Sequence, residues 1–143
     1  MCLTLYIATN KVMLTIPYDE NNRSFNTEDI VDSEKSIKNI LTLPNVKLLG
    51  SDQGCGCGFR HAMYDDNRWL DVLDDDETPF DNSNHEKLVD FIIKNNKDEK
   101  SVELFALWAG DIYPAEHRET IKLNDILDPD FYFKERGLYT VEI

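Results

Sequence analysis

The sequence predicts an α+β fold: a single domain over residues 1–143 with a mixed or antiparallel sheet of about five strands and two main helices. Three observations carry that prediction. Leu3, Leu5 and Ile7 alternate with Thr4, Tyr6 and Ala8, the period of a strand. Leu88, Phe91 and Ile92 recur at helical spacing after Ser83-Asn84-His85-Glu86, a capping-box pattern. The 143 residues are 41% hydrophobic and 10% aromatic, enough for one core and too much for a disordered chain.

Residues 2–9 form the opening strand, and Val12–Ile16 reads as its hairpin partner, stopped by Pro17. Residues 17–32 are polar, with Tyr18, Phe25 and Ile30 as isolated anchors. A short helix fits residues 33–42. Ser33 is its expected cap, Glu34 suits the first turn, and Ile37, Ile40 and Leu41 share a face. Pro44 blocks its continuation, and Val46-Lys47-Leu48-Leu49 is a strand.

Residues 64–82 carry eight Asp or Glu against one Arg. With Trp69, Leu70, Val72 and Leu73 as the only strong anchors, they read as an excursion with one helical turn, bounded by Pro79. The helix from Ser83 ends at Asn95-Asn96-Lys97-Asp98. In residues 101–108, Val102, Leu104, Ala106 and Trp108 lie on one face and Phe105 and Leu107 on the other, so this strand is expected at the sheet centre. A polar loop over 110–119 precedes closing strands at Thr120–Leu123 and Leu138–Ile143. Between them a short helix lies near Asn124–Leu127, and Phe131, Tyr132, Phe133 and Tyr139 seal the sheet.

Chemistry concentrates in Gly50-Ser51-Asp52-Gln53-Gly54-Cys55-Gly56-Cys57-Gly58-Phe59-Arg60, which holds four of the six glycines and two of the three cysteines. If this segment turns, Cys55 and Cys57 face one way. With Cys2 from the first strand and His61 four residues on, they make a candidate zinc site of three thiolates and one imidazole. The same pair, Cys55 and Cys57, is the candidate catalytic group of a thiol-redox reading, since a Cys-Gly-Cys disulfide is strained and therefore labile. Backbone N–H groups and Arg60 would lower a thiol pKa there, and the surrounding carboxylates would raise it. Phosphate binding is disfavoured: the loop has no lysine and neither glycine fingerprint. A packing reading stands beside these, in which alternating glycines let two backbones cross and small cysteines fill the gap.

Other candidates are weaker. Counting a calcium loop from Asp74 puts Pro79 where glycine is required and His85 where glutamate is required, so Asp74–Glu77 reads as a solvated face. His85 is expected at the surface in the first turn of its helix, and His117 has charged neighbours but no adjacent nucleophile. Trp69 and Trp108 read as packing anchors. No serine-hydrolase, zinc-protease or kinase motif occurs.

The net charge of −13, from 28 acidic and 15 basic residues, disfavours nucleic acid and suits solubility or a basic protein partner equally. No apolar run reaches the roughly 20 residues of a membrane span. The opening strand has no basic segment before it, and three cysteines without an export signal suit reduced thiols, so the expectation is a cytoplasmic chain. An acidic interaction module, inhibitor-like or immunity-like and without catalysis, is the alternative to the thiol and metal readings.

Met1-Cys2-Leu3-Thr4-Leu5-Tyr6-Ile7-Ala8-Thr9, Gly50-Ser51, Gly54-Cys55-Gly56-Cys57-Gly58-Phe59 and the closing Phe131-Tyr132-Phe133 and Leu138-Tyr139-Thr140-Val141 resemble a family of small bacterial proteins with no established activity. The resemblance implies that the Cys2 strand and the glycine-cysteine loop belong to one design. It carries no function.

Overall fold

The computed structural model describes residues 2–65, 68–71, 82–110 and 112–143. The strands are β1 (Leu3–Thr9), β2 (Asn26–Asp29), β3 (Asn45–Gly50), β4 (His61–Asp65), β5 (Arg68–Asp71), β6 (Ser101–Trp108), β7 (His117–Lys122), β8 (Phe133–Lys134) and β9 (Gly137–Glu142). The one α-helix among the described residues is α1 (Ser83–Asn95), and 3₁₀ segments occupy Asp32–Asn39, Gly56–Gly58 and Leu123–Leu127. Six strands form a mixed sheet in the order β2-β3-β1-β6-β9-β7, and β5-β4-β8 make a small second sheet. Within the large sheet only β7 and β9 run parallel. The α+β class holds, with one more strand in the main sheet than expected.

Alternation along β1 assigns its two faces. Leu3, Leu5 and Ile7 enter a core with Leu88 and Ile92 of α1, Ile126 of the third 3₁₀ segment, and Phe59, Phe133 and Tyr139. Tyr6 and Ala8 point the other way, onto Ile37 and Leu41. Strand β6 lies between β1 and β9 and is covered on both faces, as its continuous apolar run requires.

The expected hairpin of Val12–Ile16 on the first strand does not form. Both edges of β1 are already taken, by β3 and β6. The segment instead makes a single bridge from Ile16 to Thr27, leaving Val12 83% and Leu14 64% exposed. The polar stretch 17–32 contains a strand that its composition hides. Asn26-Thr27-Glu28-Asp29 has no apolar side chain, yet it pairs with β3 as an edge strand.

The 33–42 helix is a 3₁₀ segment starting at Asp32. Val31 occupies the cap position without a side-chain bond, so Ser33 does not cap it. Where one helical turn was expected in 64–82, β4 and β5 form an antiparallel pair, Ala62–Asp65 against Arg68–Asp71. Val72, Leu73, Asp74–Glu77 and Pro79 lie outside the described residues.

Helix α1 starts one residue before the capping-box pattern requires. Ser83 is already helical, and the Asn82 carbonyl accepts the Glu86 N–H at 2.9 Å. Among the described residues no helix is long and apolar enough to cross a membrane.

Candidate metal centre

Strand β3 delivers the chain into the glycine-cysteine loop, and Ser51, wholly buried, closes it. Its Oγ donates to the Cys55 carbonyl at 2.6 Å and accepts the N–H groups of Gln53 at 3.2 Å and Gly58 at 3.0 Å. The Ser51 N–H also reaches the Cys55 carbonyl, at 2.7 Å. Gly54 sits at φ +82°, a left-handed conformation that needs glycine. Beyond Cys55 the chain makes one 3₁₀ turn at Gly56–Gly58, which brings Cys55 and Cys57 round to the same region.

That turn lies on β1. A Cβ at Gly56 would stand 2.7 Å from the Leu3 carbonyl oxygen, so two backbones cross here without room for a side chain. The Leu3 N–H donates to the Cys57 sulfur at 3.4 Å, across 54 residues of sequence. Crossing and thiol chemistry are therefore one arrangement: the contact that demands glycine also seats Cys57 beside the residue following Cys2.

As a result the ligand atoms of Cys2, Cys55 and Cys57 all lie within 4.8 Å of one another. All three are free; Cys2 is exposed and the other two are half-buried. Sulfurs on one tetrahedral zinc, at Zn–S distances of about 2.3 Å, stand about 3.8 Å apart, so small rotations suffice to converge on an ion. The donor set, three soft sulfurs, suits zinc and its heavier congeners rather than calcium or magnesium.

Burial pushes the Cys55 thiol pKa up, the neighbouring Cys57 thiol adds to that, and the Cys57 backbone N–H and the Cys2 thiol oppose it. Arg60, which the sequence placed as a thiolate stabiliser, turns elsewhere. Its guanidinium donates to the carbonyls of Phe131 at 2.8 Å and Asp128 at 2.8 Å, and to Asn82 Oδ1 at 2.8 Å. Burial lowers the Arg60 pKa, with Asp128 opposing.

His61 does not join the cysteines. Its Nδ1–H donates to the Phe59 carbonyl at 2.7 Å and its ring sits edge-on to Trp108, 5.9 Å between centroids. Among the described residues no other His, Cys, Asp or Glu belongs to the three-cysteine group.

His85, expected at the surface, is wholly buried. Its Nε2 accepts the Arg60 backbone N–H at 2.9 Å and its Nδ1–H donates to the Ile126 carbonyl at 2.8 Å, so the ring is neutral. Burial lowers its pKa to about 4, assisted by the Arg60 charge and opposed by the Ile126 bond. The sequence pattern misled because it placed His85 relative to its own helix only.

Ser51, Asn84 and Leu3 were not singled out from sequence, although each shapes the loop. Asn84 Oδ1 accepts the Asp52 N–H at 3.0 Å, and its Nδ2 donates to Asp52 at 3.1 Å and to the Gly58 carbonyl at 3.3 Å. A signal existed for Ser51: serine opening a glycine-containing turn after a strand often bonds its own backbone.

Comparison with family models, with curated proteins and with solved structures returns no match to this chain.

Proposed function

We propose that the protein binds one divalent thiophilic ion, zinc in the first instance, through the thiolates of Cys2, Cys55 and Cys57. The observation that carries this reading is the convergence of three free thiols, with Cys2 more than fifty residues from the Cys55 and Cys57 pair. Charge favours a divalent over a monovalent ion. Three thiolates and a 2+ ion leave the site at −1, whereas a 1+ ion leaves −2, and the nearest cation in sequence, Arg60, is turned away. Bound metal would stabilise the thiolates and tie β1 to the loop. A reducing compartment such as cytoplasm would keep the cysteines available for it.

Thiol exchange through Cys55 and Cys57 is the weaker reading. A redox nucleophile works as its thiolate, and burial here pushes the Cys55 thiol pKa up with no bound cation to offset it.

The test is metal content and free-thiol count on one anaerobically purified sample, repeated on Cys57→Ser. One zinc per chain with three protected thiols is expected. Loss of a direct ligand should weaken binding by more than the roughly 10–100-fold that loss of a supporting outer group costs. No metal and no uptake of added zinc by the folded wild-type chain would overturn the proposal.

A further inference from the structure

The three thiols are not equivalent, and their differences decide what an oxidant makes of them. Cys2 is exposed and precedes the first residue of β1, while Cys55 and Cys57 are half-buried in the loop. Cys55 is the central member, its thiol in contact with the thiols of both Cys2 and Cys57. Cys57 is the engaged one. Its sulfur accepts the Leu3 N–H at 3.4 Å, and its side chain packs against the main core.

Those contacts rank the disulfides the cluster can form. A Cys55–Cys57 bridge would close across Gly56 alone, and so short a ring is strained. The turn has little room to relieve it. Gly56 lies against the Leu3 carbonyl with no space for a methyl, and its own carbonyl accepts the Phe59 N–H at 3.0 Å. A Cys2–Cys57 bridge would pull Cys57 from the Leu3 N–H and from its packing. Cys2 and Cys55 are already in contact, and joining them spares the Leu3–Cys57 bond.

We infer that Cys2 and Cys55 form a reversible disulfide when the metal-free chain meets a hydroperoxide, leaving Cys57 as a free thiol. The exposed Cys2 reacts first, because access decides which sulfur a peroxide meets. Its thiolate attacks one peroxide oxygen, the O–O bond breaks, and hydroxide leaves behind a Cys2 sulfenic acid. The Cys55 sulfur then attacks the Cys2 sulfur. The S–O bond breaks, and the departing hydroxide takes the Cys55 proton and leaves as water. In sum, two thiols become one disulfide and hydrogen peroxide becomes two waters, with two electrons passing from sulfur to oxygen. A dithiol reductant reverses the bridge by exchange. The consequence for metal rests on the zinc reading above: the bridge removes two of three ligands, so oxidation and metal binding exclude each other.

The experiment treats reduced, metal-free, full-length chain with hydrogen peroxide and maps the products by tandem mass spectrometry without reduction. Fragmentation should place the bond between Cys2 and Cys55, within one chain, with one thiol still open to alkylation. Cys57→Ser should form the bridge about as fast as the wild type, whereas Cys55→Ser should form any bridge at least about tenfold more slowly. The bridge closes a loop of more than fifty residues, so the urea midpoint should rise on oxidation and fall back on reduction. A Cys55–Cys57 bridge closes only a tripeptide and would leave the midpoint almost unmoved.

A mapped Cys55–Cys57 or Cys2–Cys57 bridge would overturn the inference, as would over-oxidation of Cys2 without a bridge or a disulfide between two chains. Zinc-loaded chain should release one zinc per bridge formed and take it up again after reduction. Zinc that stays on the bridged chain would overturn the exclusion. The Cys2–Cys55 bridge in a chain that takes up no zinc would uphold this inference and remove the metal reading alone.

Discussion

The two halves of one loop treat their polar groups in opposite ways. From Gly58 to His61 each potentially reactive side chain is buried and engaged. Arg60 reaches backbone carbonyls and the Asn82 side chain, His61 is bonded to Phe59, and His85 of α1 reaches in to hold the Arg60 N–H. From Ser51 to Cys57 the backbone is as tightly bonded, yet the two thiols stay half-exposed, with their companion Cys2 in the open. Burial with satisfied bonds makes a charged or titrating group structural, because moving it would strand its partners. The thiols contact one another, and the Cys57 sulfur accepts the Leu3 N–H, yet none of the three is buried, so they stay within reach of something else. The difference teaches that residue type is a poor guide to function: the loop's arginine and histidine, the usual catalytic candidates, are its most constrained residues.

Breaking the engaged half should produce the largest effect. Arg60→Met keeps the stem but strands the carbonyls of Phe131 and Asp128 and the Asn82 side chain. Bonds to charged groups contribute about 1.5–3 kcal/mol each and are not additive, so a loss of at least about 3 kcal/mol is expected in urea unfolding. Metal bound per folded molecule should be unchanged. A stable Arg60→Met chain that no longer binds metal would invert the comparison.

Acid attacks the same half. The His85 pKa falls from 6.5 to about 4 on folding, so the unfolded chain binds the extra proton between those values. The contribution is complete above pH about 6.5 and is lost progressively as pH falls towards 4. Its full size is on the order of 3 kcal/mol at about 1.4 kcal/mol per pH unit. Urea midpoints of metal-free protein across that range should decline, and His85→Gln should flatten that part of the slope. An unchanged slope in the variant would mean that His85 does not govern acid stability.

A smaller effect tests where the halves meet. Gly56→Ala puts a methyl against the Leu3 carbonyl and should cost about 1–3 kcal/mol, as overpacking does. Because the same crossing seats Cys57 on the Leu3 N–H, metal affinity should fall with it. Lost stability with intact affinity would separate crossing from site and sharpen the comparison into two independent features.

Much of the fold was legible locally. The faces of β1, the central place of β6, the extent of α1 and the strand leading into the loop follow from periodicity, which reports the side on which each residue is buried. Strand β2 was hidden because Asn26–Asp29 forms a strand through its ladder with β3, not through an apolar face. The absent Val12–Ile16 hairpin was illegible for the complementary reason. The segment has strand composition, but the edges it needed are filled by β3 and β6, which lie far along the chain.

Of the site, the amino-acid sequence by itself determined the ingredients: three cysteines, glycines where a side chain would obstruct, and a net charge of −13 that bears on the choice of ligand. Tertiary structure alone decided that Cys2 meets Cys55 and Cys57, that His61 and Arg60 face away, and that His85 is buried. The physical reason is range. A repeat of two or 3.6 residues is written within one segment. Convergence of thiols from opposite ends of a stretch of more than fifty residues, like the N–H of Leu3 meeting the sulfur of Cys57, depends on which strands pair, and that is a property of the whole core.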